Sequence, residues 1–494
     1  MAEEIIISVS PHETRVAVVE QGLLQEIFIE RLHTRGTVGN IIKGKVVRIL
    51  PGMQSAFVDI GQPRAAFMHI TDLVNGHEFV PGDSNESPEY PPINRVLHDG
   101  QELLVQVTKE PISTKGARAS SSISLASRFL VYMPASAHIG VSQRIEDEEE
   151  RQRLKQILEQ IHQPDLGDGF IVRTASERAS EEEILRDARL LRSRWKSVSL
   201  ESERASSPCL IYEDLPLHLR VMRDIINTHT TKILVDNKTI FSVLERFLRD
   251  FIPEKTACLE LSSEVVPLFD AHNLEDQIET ALDRKVPLKS GGYLIIDQTE
   301  AMNTVDVNTG AFVGRRDLED TIYRTNLEAA AAIPRQLRLR NIGGIVIIDF
   351  IDMVNEEHKR QVLRMLEKGQ QTDRVKWSIT EISDLGLVEM TRKRTHESLM
   401  KMMCEPCPYC TGKGFIKTAE SVCLEIFRDI QRRALDFRDK DCLIMAAQPV
   451  IDRLLDEDAA CVAELSRALN SKLRFQVEAS YTQEQFDVVL TMSG

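Results

Sequence analysis

Along the first thirty residues apolar positions come in short bursts, "EIIISVS", "TRVAVVE" and "GLLQEIFIE", broken at Pro11 and Gly22. Bursts of that length with turn residues between them predict strands and hairpins. From Gly39 the pattern changes to "GNIIKGKVVRILPGMQSAFVDIGQPRAAFMHI", then a stretch rich in Pro, Asn, Asp and Gly over 71–100, then "GQELLVQVTKE". Short strands without one helical period predict a small five-stranded barrel. Beyond it, "SISLASRFLVYMP" predicts one strand, 145–162 an acidic helix, "GFIVRTA" (169–175) a strand, and 180–203 a second amphipathic helix. Alternation continues through "KILVDN" (232–237) and a helix over 274–283, which is α/β patterning. "GGYLIIDQTEAMNTVDVNTGAFVG" reads as two strands joined by a polar turn, followed by a helix over 317–340. The run in "NIGGIVIIDFIDM" then predicts a strand buried on both faces.

With 494 residues the chain exceeds a single core, and 42% hydrophobic composition suffices to fill several domains. No apolar run approaches the ~20 residues of a membrane helix, and "MAEEIII" carries acid where a secretory signal carries base. A cytoplasmic protein is expected. The formal charge of -15 argues against a uniformly basic nucleic-acid binder but says nothing of a local groove. Acid sits in the helical runs "IEDEEERQRL" and "SEEEIL", as on solvated faces, whereas base clusters in "RQLRLR" (335–340) and "TRKRTHESLMK" (391–401). Eight cysteines are too scattered for a disulfide framework, which leaves "CEPCPYC" as the metal candidate.

Four groups of residues carry possible chemistry. The barrel pattern looks like an S1-type OB fold, in which exposed aromatics stack bases beside a basic groove; Phe57, Phe67 and Lys115 are placed for this, unless both rings are core. Arg173 offers a planar fork and Thr174 a hydroxyl at a strand end, a possible phosphate clamp or an idle surface pair. In "TVDVN", Asp306 and Asn308 share one face of a strand, with Val305 and Val307 on the other. Asp349 ends the apolar run and Asp352 follows it. Such oxygen ligands suit magnesium or manganese; the alternative is a turn cap at Asp306 and an arginine partner for Asp349. Finally, Cys407 and Cys410 in "CPYCTGKG" have the turn and trailing glycines of a zinc knuckle, with Cys404 as a possible third ligand.

The strings "GNIIKGKVVRILPGMQSAFVDIG", "KSGGYLIIDQTEAMNTVDVNTGAF", "NLEAAAAIPRQLRLRNIGGIVIIDFIDM", "GLVEMTRKR" and "CPYCTGKG" occur in one order that resembles the bacterial ribonuclease E/G family, more closely its ribonuclease G branch. The resemblance spans nearly the whole chain. It implies that Asp306 and Asp349 hold a catalytic magnesium and that Asn308 supports them or the scissile phosphate. It places Arg173 and Thr174 in a 5′-monophosphate sensor, with Val131 on the same pocket. Two sensor positions depart from the pattern: Ser127 stands where glycine is frequent, and Lys376 where arginine occurs. Lysine keeps the charge but loses the bidentate fork, so 5′-end discrimination is expected to be looser. Phe57, Phe67 and Lys115 match residues that grip single-stranded RNA. Cys407 and Cys410 match a C-P-x-C pair contributed by each of two subunits to one shared zinc, which joins a homodimer.

The same resemblance implies a multidomain α+β and α/β architecture. Its parts are a discontinuous RNase H-like subdomain (1–36 and 216–280), an S1 RNA-binding domain (37–121), a 5′-sensor region (122–215), a DNase I-like catalytic subdomain (281–402), a zinc-link (403–416) and a small C-terminal domain (417–494). The scaffold tail of ribonuclease E is missing from this sequence, which favours the shorter branch. The implied activity is magnesium-dependent hydrolysis of single-stranded RNA to 5′-phosphate and 3′-hydroxyl ends, in ribosomal RNA 5′-end maturation and message turnover. The rival readings are a truncated ribonuclease E-type enzyme and, in a different class, a non-catalytic S1-type RNA-binding factor.

Overall fold

The computed structural model describes residues 2–32, 36–73, 91–111, 116–162, 168–310, 318–383, 385–433, 440–470 and 472–490, which divide into two units, Met1–Leu399 and Met400–Gly494. The architecture is mixed α/β with a closed five-strand barrel, as the patterning predicts.

In the first unit, the opening bursts form an antiparallel meander, Glu3–Val9, Glu13–Glu20 and Leu23–Arg31. Two distant strands, Thr230–Val235 and Leu259–Leu261, complete that sheet: Ile5 stands opposite Val18 on one side and, in parallel register, Ile233 on the other. The helices Leu217–Asp224 and Lys238–Phe251 cover the face carrying Ile5, Ile7, Val16, Val18, Ile233 and Val235.

Between those segments the strands Ile41–Leu50, Ser55–Asp59, Ala66–His69, Arg118–Ser120 and Glu102–Lys109 close into the barrel, the last pairing back to the first with Ile42 opposite Val105. Cys209–Tyr212 adds a sixth strand alongside Ile41–Leu50. Alternation puts Ala56, Val58, Ala66 and Met68 inside.

The segment "SISLASRFLVYMP", expected as one strand, is two: Leu125–Ala126 and Leu130–Met133 form a hairpin. The Ser127 amide donates to the Leu130 carbonyl at 2.9 Å, and the buried Asp187 carboxylate accepts from the amides of Phe129 and Leu130, which closes the turn. The strand that begins at Gly169 ends at Val172, earlier than expected, because Ser176 N donates to Arg173 O and winds Thr174–Ser176 into a 3-10 turn.

A six-stranded sheet follows, in the order Lys285–Pro287, Tyr293–Gln298, Met302–Asn308, Gly344–Asp349, Leu387–Arg392 and Trp377–Ile379. The helices Leu318–Leu339 and Glu356–Gln370 pack on one face, against Val305, Val307, Val346, Ile348, Val388 and Met390. They meet closely at Gly369, where a Cβ would lie 2.8 Å from Pro334 Cγ. Gly344–Asp349 is therefore buried on one face and not on both: Val346 and Ile348 are enclosed, while Ile345 is 47% exposed on the face the helices leave uncovered. The basic run 335–340 is absorbed by packing, chiefly where the helix Leu318–Leu339 meets the strand Leu23–Arg31. Arg335 Nε donates to Leu24 O at 3.1 Å, Arg338 Nη2 to Gln25 Oε1 at 2.7 Å, and Arg340 Nε to Gln336 Oε1 at 2.8 Å.

In the second unit Cys442–Ala446 is the centre of a three-strand sheet, parallel to Leu473–Val477 and antiparallel to Phe486–Leu490. The helices Ala419–Arg432, Gln448–Leu455 and Ala459–Leu469 supply the remaining core, in which Cys423 is fully enclosed.

Candidate functional site

Asp306 and Asp349 are direct partners across two parallel strands. Neighbouring strands run about 4.8 Å apart, so the two side chains leave the same face side by side. That face is the one without helices, and both carboxylates are exposed. What marks these residues is two acidic side chains side by side on an open face. Burial in part, then the charges of Asp306 and Asp352, push the Asp349 carboxyl above the usual carboxylate range. Asn308 lies two residues on, and its Nδ2 donates to Asp306 Oδ2 at 2.8 Å. Asp306 is within its strand and caps no turn, and among the described residues neither Asp306 nor Asp349 has an arginine or lysine partner. Asp352, exposed on the loop after Asp349, lines a cavity of about 320 Å³ with Phe350, Ile351, Met353, Lys359, Ile382 and Gly386. Among the described residues no three His, Cys, Asp or Glu gather into a group that could hold a metal ion.

Phe57 and Phe67 are also cross-strand partners, with ring centroids 6.0 Å apart and planes at 68°. Both are half-buried on the outside of the barrel, since their neighbours Ala56, Val58, Ala66 and Met68 fill its interior. Arg48 stands opposite Phe57 and Arg118 opposite Phe67, so four adjacent strands present a basic, aromatic, aromatic, basic row. Arg118 is held by a bidentate pair with Asp72, both contacts 3.0 Å. Lys115 lies outside the described residues.

Arg173, Thr174, Ser127 and Val131 converge at the end of the strand Gly169–Val172. Val131 pairs with Ile171 and Ala126, the residue before Ser127. Arg173 Nη1 donates to Ser127 O at 2.6 Å and Nη2 to Asp224 Oδ1 at 2.7 Å. The Ser127 hydroxyl is turned away, donating to the buried Asp187 carboxylate, with Leu130 O 3.1 Å from the same oxygen. Thr174 is exposed, its hydroxyl 3.1 Å from that of Ser142. Lys376 is exposed and lies two residues after Arg374, whose Nη2 reaches the Ile225 carbonyl beside Asp224 at 3.4 Å. Sequence reasoning missed Asp224 and Arg223, because nothing local marks an aspartate fifty residues away as the partner of Arg173. It also missed Arg48 and Arg118, which an alternation count along the barrel strands would have found.

In the second unit Cys407 and Cys410 form a tight knuckle. Thr411 N donates to Cys407 O at 2.8 Å and Lys413 N to Cys410 O at 2.9 Å, with Gly412 and Gly414 at φ +87° and +80°, a region that glycine enters without strain. Gly414 N donates to Cys410 Sγ at 3.4 Å, and this amide, with that of Gly412 and the Cys407 thiol, draws the Cys410 thiol below its usual range. Cys404 is exposed, just beyond the helix Leu399–Met403.

Comparison with known proteins agrees in order and extent with this layout. The Ribonuclease E/G family model matches residues 124–395, and the model "RNase E/G, Thioredoxin-like domain" matches 406–491. The chain is 50% identical to Ribonuclease G of Salmonella typhimurium over 490 residues, 99% of this chain and 100% of the relative. It is 48% identical to Ribonuclease G of Haemophilus influenzae, over 99% of each. With Ribonuclease E of Escherichia coli it shares 35% identity over 94% of this chain and 43% of the relative. Matched over more than half its length by the family model and over nearly all of it by these relatives, the chain belongs to the ribonuclease E/G family.

Proposed function

We propose that the chain cuts single-stranded RNA internally by magnesium-dependent hydrolysis at the Asp306–Asp349 pair, leaving 5′-phosphate and 3′-hydroxyl ends. Endoribonuclease activity as such follows from family membership and from half identity, over the full length, with relatives named Ribonuclease G. The observation that carries the finer reading is the parallel register of two exposed carboxylates without a cationic partner among the described residues. Two carboxylates do not complete a cage, and this suits magnesium, which keeps several waters and takes one or two carboxylates plus substrate phosphate. Magnesium bound there supplies water of lowered pKa and neutralises charge developing on the phosphoryl oxygens. Asp306 and Asp349 hold the ion, and Asn308 fixes the Asp306 carboxylate by its 2.8 Å bond. On the barrel, Phe57 and Phe67 stack bases, with Lys115 and the flanking arginines meeting phosphates. Arg173 and Thr174, with Val131, Ser127 and Lys376 around them, receive a 5′-monophosphate.

In this reading the barrel is the S1 domain (37–121), residues 122–215 the sensor region, 1–36 and 216–280 an RNase H-like subdomain, 281–402 a DNase I-like subdomain, 403–416 the zinc-link and 417–494 the small terminal domain. Cys407 and Cys410 supply half of a tetrahedral zinc site, the other half coming from a second copy, so that a homodimer forms around the metal. Ribosomal RNA precursors and messages are the proposed substrates, in the cytoplasm; among the described residues no helix is long and apolar enough to cross a membrane.

The test is cleavage of one short single-stranded RNA carrying a 5′-monophosphate, triphosphate or hydroxyl, with and without magnesium, by the natural chain and by Asp306→Asn. The variant should bind RNA and fail to cut it. Cleavage at the natural rate would remove Asp306 from the metal site and return the non-catalytic RNA-binding reading to favour.

A further inference from the structure

Arg173 projects from the end of its strand with five N–H donors, of which the fold uses one on each terminal nitrogen. One goes to the Ser127 carbonyl at 2.6 Å and the other to Asp224 Oδ1 at 2.7 Å. Asp224 is in turn gripped by Arg223, whose Nε meets Oδ1 at 3.0 Å and whose Nη2 meets Oδ2 at 2.8 Å. Arg223 Nη1 bonds Asp214 at 3.3 Å and reaches the Ala126 carbonyl at 3.5 Å, one peptide before the Ser127 carbonyl that receives Arg173. These bonds form a circuit: Arg173, Asp224, Arg223, the Ala126–Ser127 peptide, and Arg173 again. Arg223 is only 9% exposed, so the circuit is anchored from within, whereas Arg173 at 27% remains open to solvent.

A free arginine loses about 2 kcal/mol of rotamer freedom when a ligand immobilises it. Arg173 has lost most of that freedom already, and three of its N–H groups have no partner among the described residues. The carboxylate that holds it also stays ionised. Burial alone would raise the Asp224 pKa, but Arg223 and Arg173 outweigh that effect and leave it below the usual range.

We propose that Asp224 is a positioning residue for the 5′-monophosphate site: it holds the Arg173 fork in the orientation that meets the phosphate, with Arg223 as its buried counter-cation. This rests on the sensor role given to Arg173 above. The alternative for the same geometry is a latch, in which Asp224 competes with phosphate for Arg173. The two differ in sign. A positioning carboxylate, once removed, lowers the advantage of a monophosphorylated end, whereas a removed competitor raises it.

The experiment is a double-mutant cycle on the full chain with Arg173→Ala, Asp224→Ala and the double variant. The readout is the ratio of kcat/KM for one RNA bearing a 5′-monophosphate to that for the same RNA bearing a 5′-hydroxyl. General damage to the fold depresses both terms alike and leaves the ratio standing. Asp224→Ala should reduce the ratio roughly tenfold, the worth of a hydrogen bond to a charged group. It should reduce it no further when Arg173 is already alanine. Asp224→Asn, which keeps an oxygen for Arg173 Nη2, should retain part of the ratio. An unchanged or increased ratio in Asp224→Ala, while Arg173→Ala abolishes it, overturns the positioning role. A full ratio in Arg173→Ala overturns the sensor reading itself, and this proposal with it.

Discussion

Asn308 and Asp306 share a strand face, and the amide of the first donates to the carboxylate of the second at 2.8 Å. Asp306 is at the same time the direct cross-strand partner of Asp349. Groups that orient a metal ligand without touching the metal are typically worth 10-fold to 100-fold in affinity. Asn308→Ala should therefore raise the magnesium concentration for half-maximal cleavage by about tenfold, with a smaller loss at saturating magnesium. An unchanged magnesium titration would place Asn308 outside the metal's support.

The raised pKa of Asp349 makes a statement about stability. Partial burial and the charges of Asp306 and Asp352 act only in the folded chain, so folding favours the protonated form. That contribution is present below the ordinary carboxylate range and is lost as pH rises through the native pKa of Asp349. In a chelator at pH 7, Asp349→Asn should melt at a higher temperature than the natural chain, and the difference should vanish by about pH 3. An equal or lower Tm at pH 7 would mean that other groups offset both the burial and the repulsion at Asp349.

Because Phe57 and Phe67 stand outside the barrel core, replacing either by alanine should spare the fold and weaken binding of single-stranded RNA. A stacked base is worth about 1–3 kcal/mol. Titration of a labelled RNA beside a thermal melt separates the two effects, and a collapsed barrel with normal affinity per folded molecule would return both rings to the core.

Two thiols per chain satisfy half of a tetrahedral zinc. Metal analysis should give about half an ion per chain, and Cys407→Ala should release both metal and dimer in a sedimentation experiment. One tightly held zinc per stable monomer would make Cys404 the third ligand of a site within one chain.

Most of the layout was legible because the alternation of apolar and polar residues is regular where a single face is covered. Val305 and Val307 point into the core and Asp306 out of it, as their spacing requires. The errors arise where that regularity misleads. An unbroken apolar run at Gly344–Asp349 resembles a doubly covered strand, yet helices lie on one side only, and Ile345 is left half in solvent. The basic runs were ambiguous for a different reason: arginine suits both phosphate and buried carbonyls. Only the fold reveals that Arg335 and Arg338 reach Leu24 and Gln25, and that Arg392 pairs with a buried Asp373 at 2.6 Å. The Asp224 contact was invisible because its distance along the chain carries no pattern.

The parallel pairing of Ile5 with Ile233 has a consequence for the chain during synthesis. The opening meander leaves the ribosome with one edge unpaired, and its partner strand is not made until the barrel and the hairpin sheet beyond it have emerged. Those two intervening parts have cores of their own, so they can fold while the first sheet is still incomplete. The nascent protein thus carries an exposed strand edge through nearly half of its translation, an open template for pairing with other chains. Translation pauses placed before residue 230 should lengthen that exposure and increase aggregation, whereas pauses after residue 261 should not.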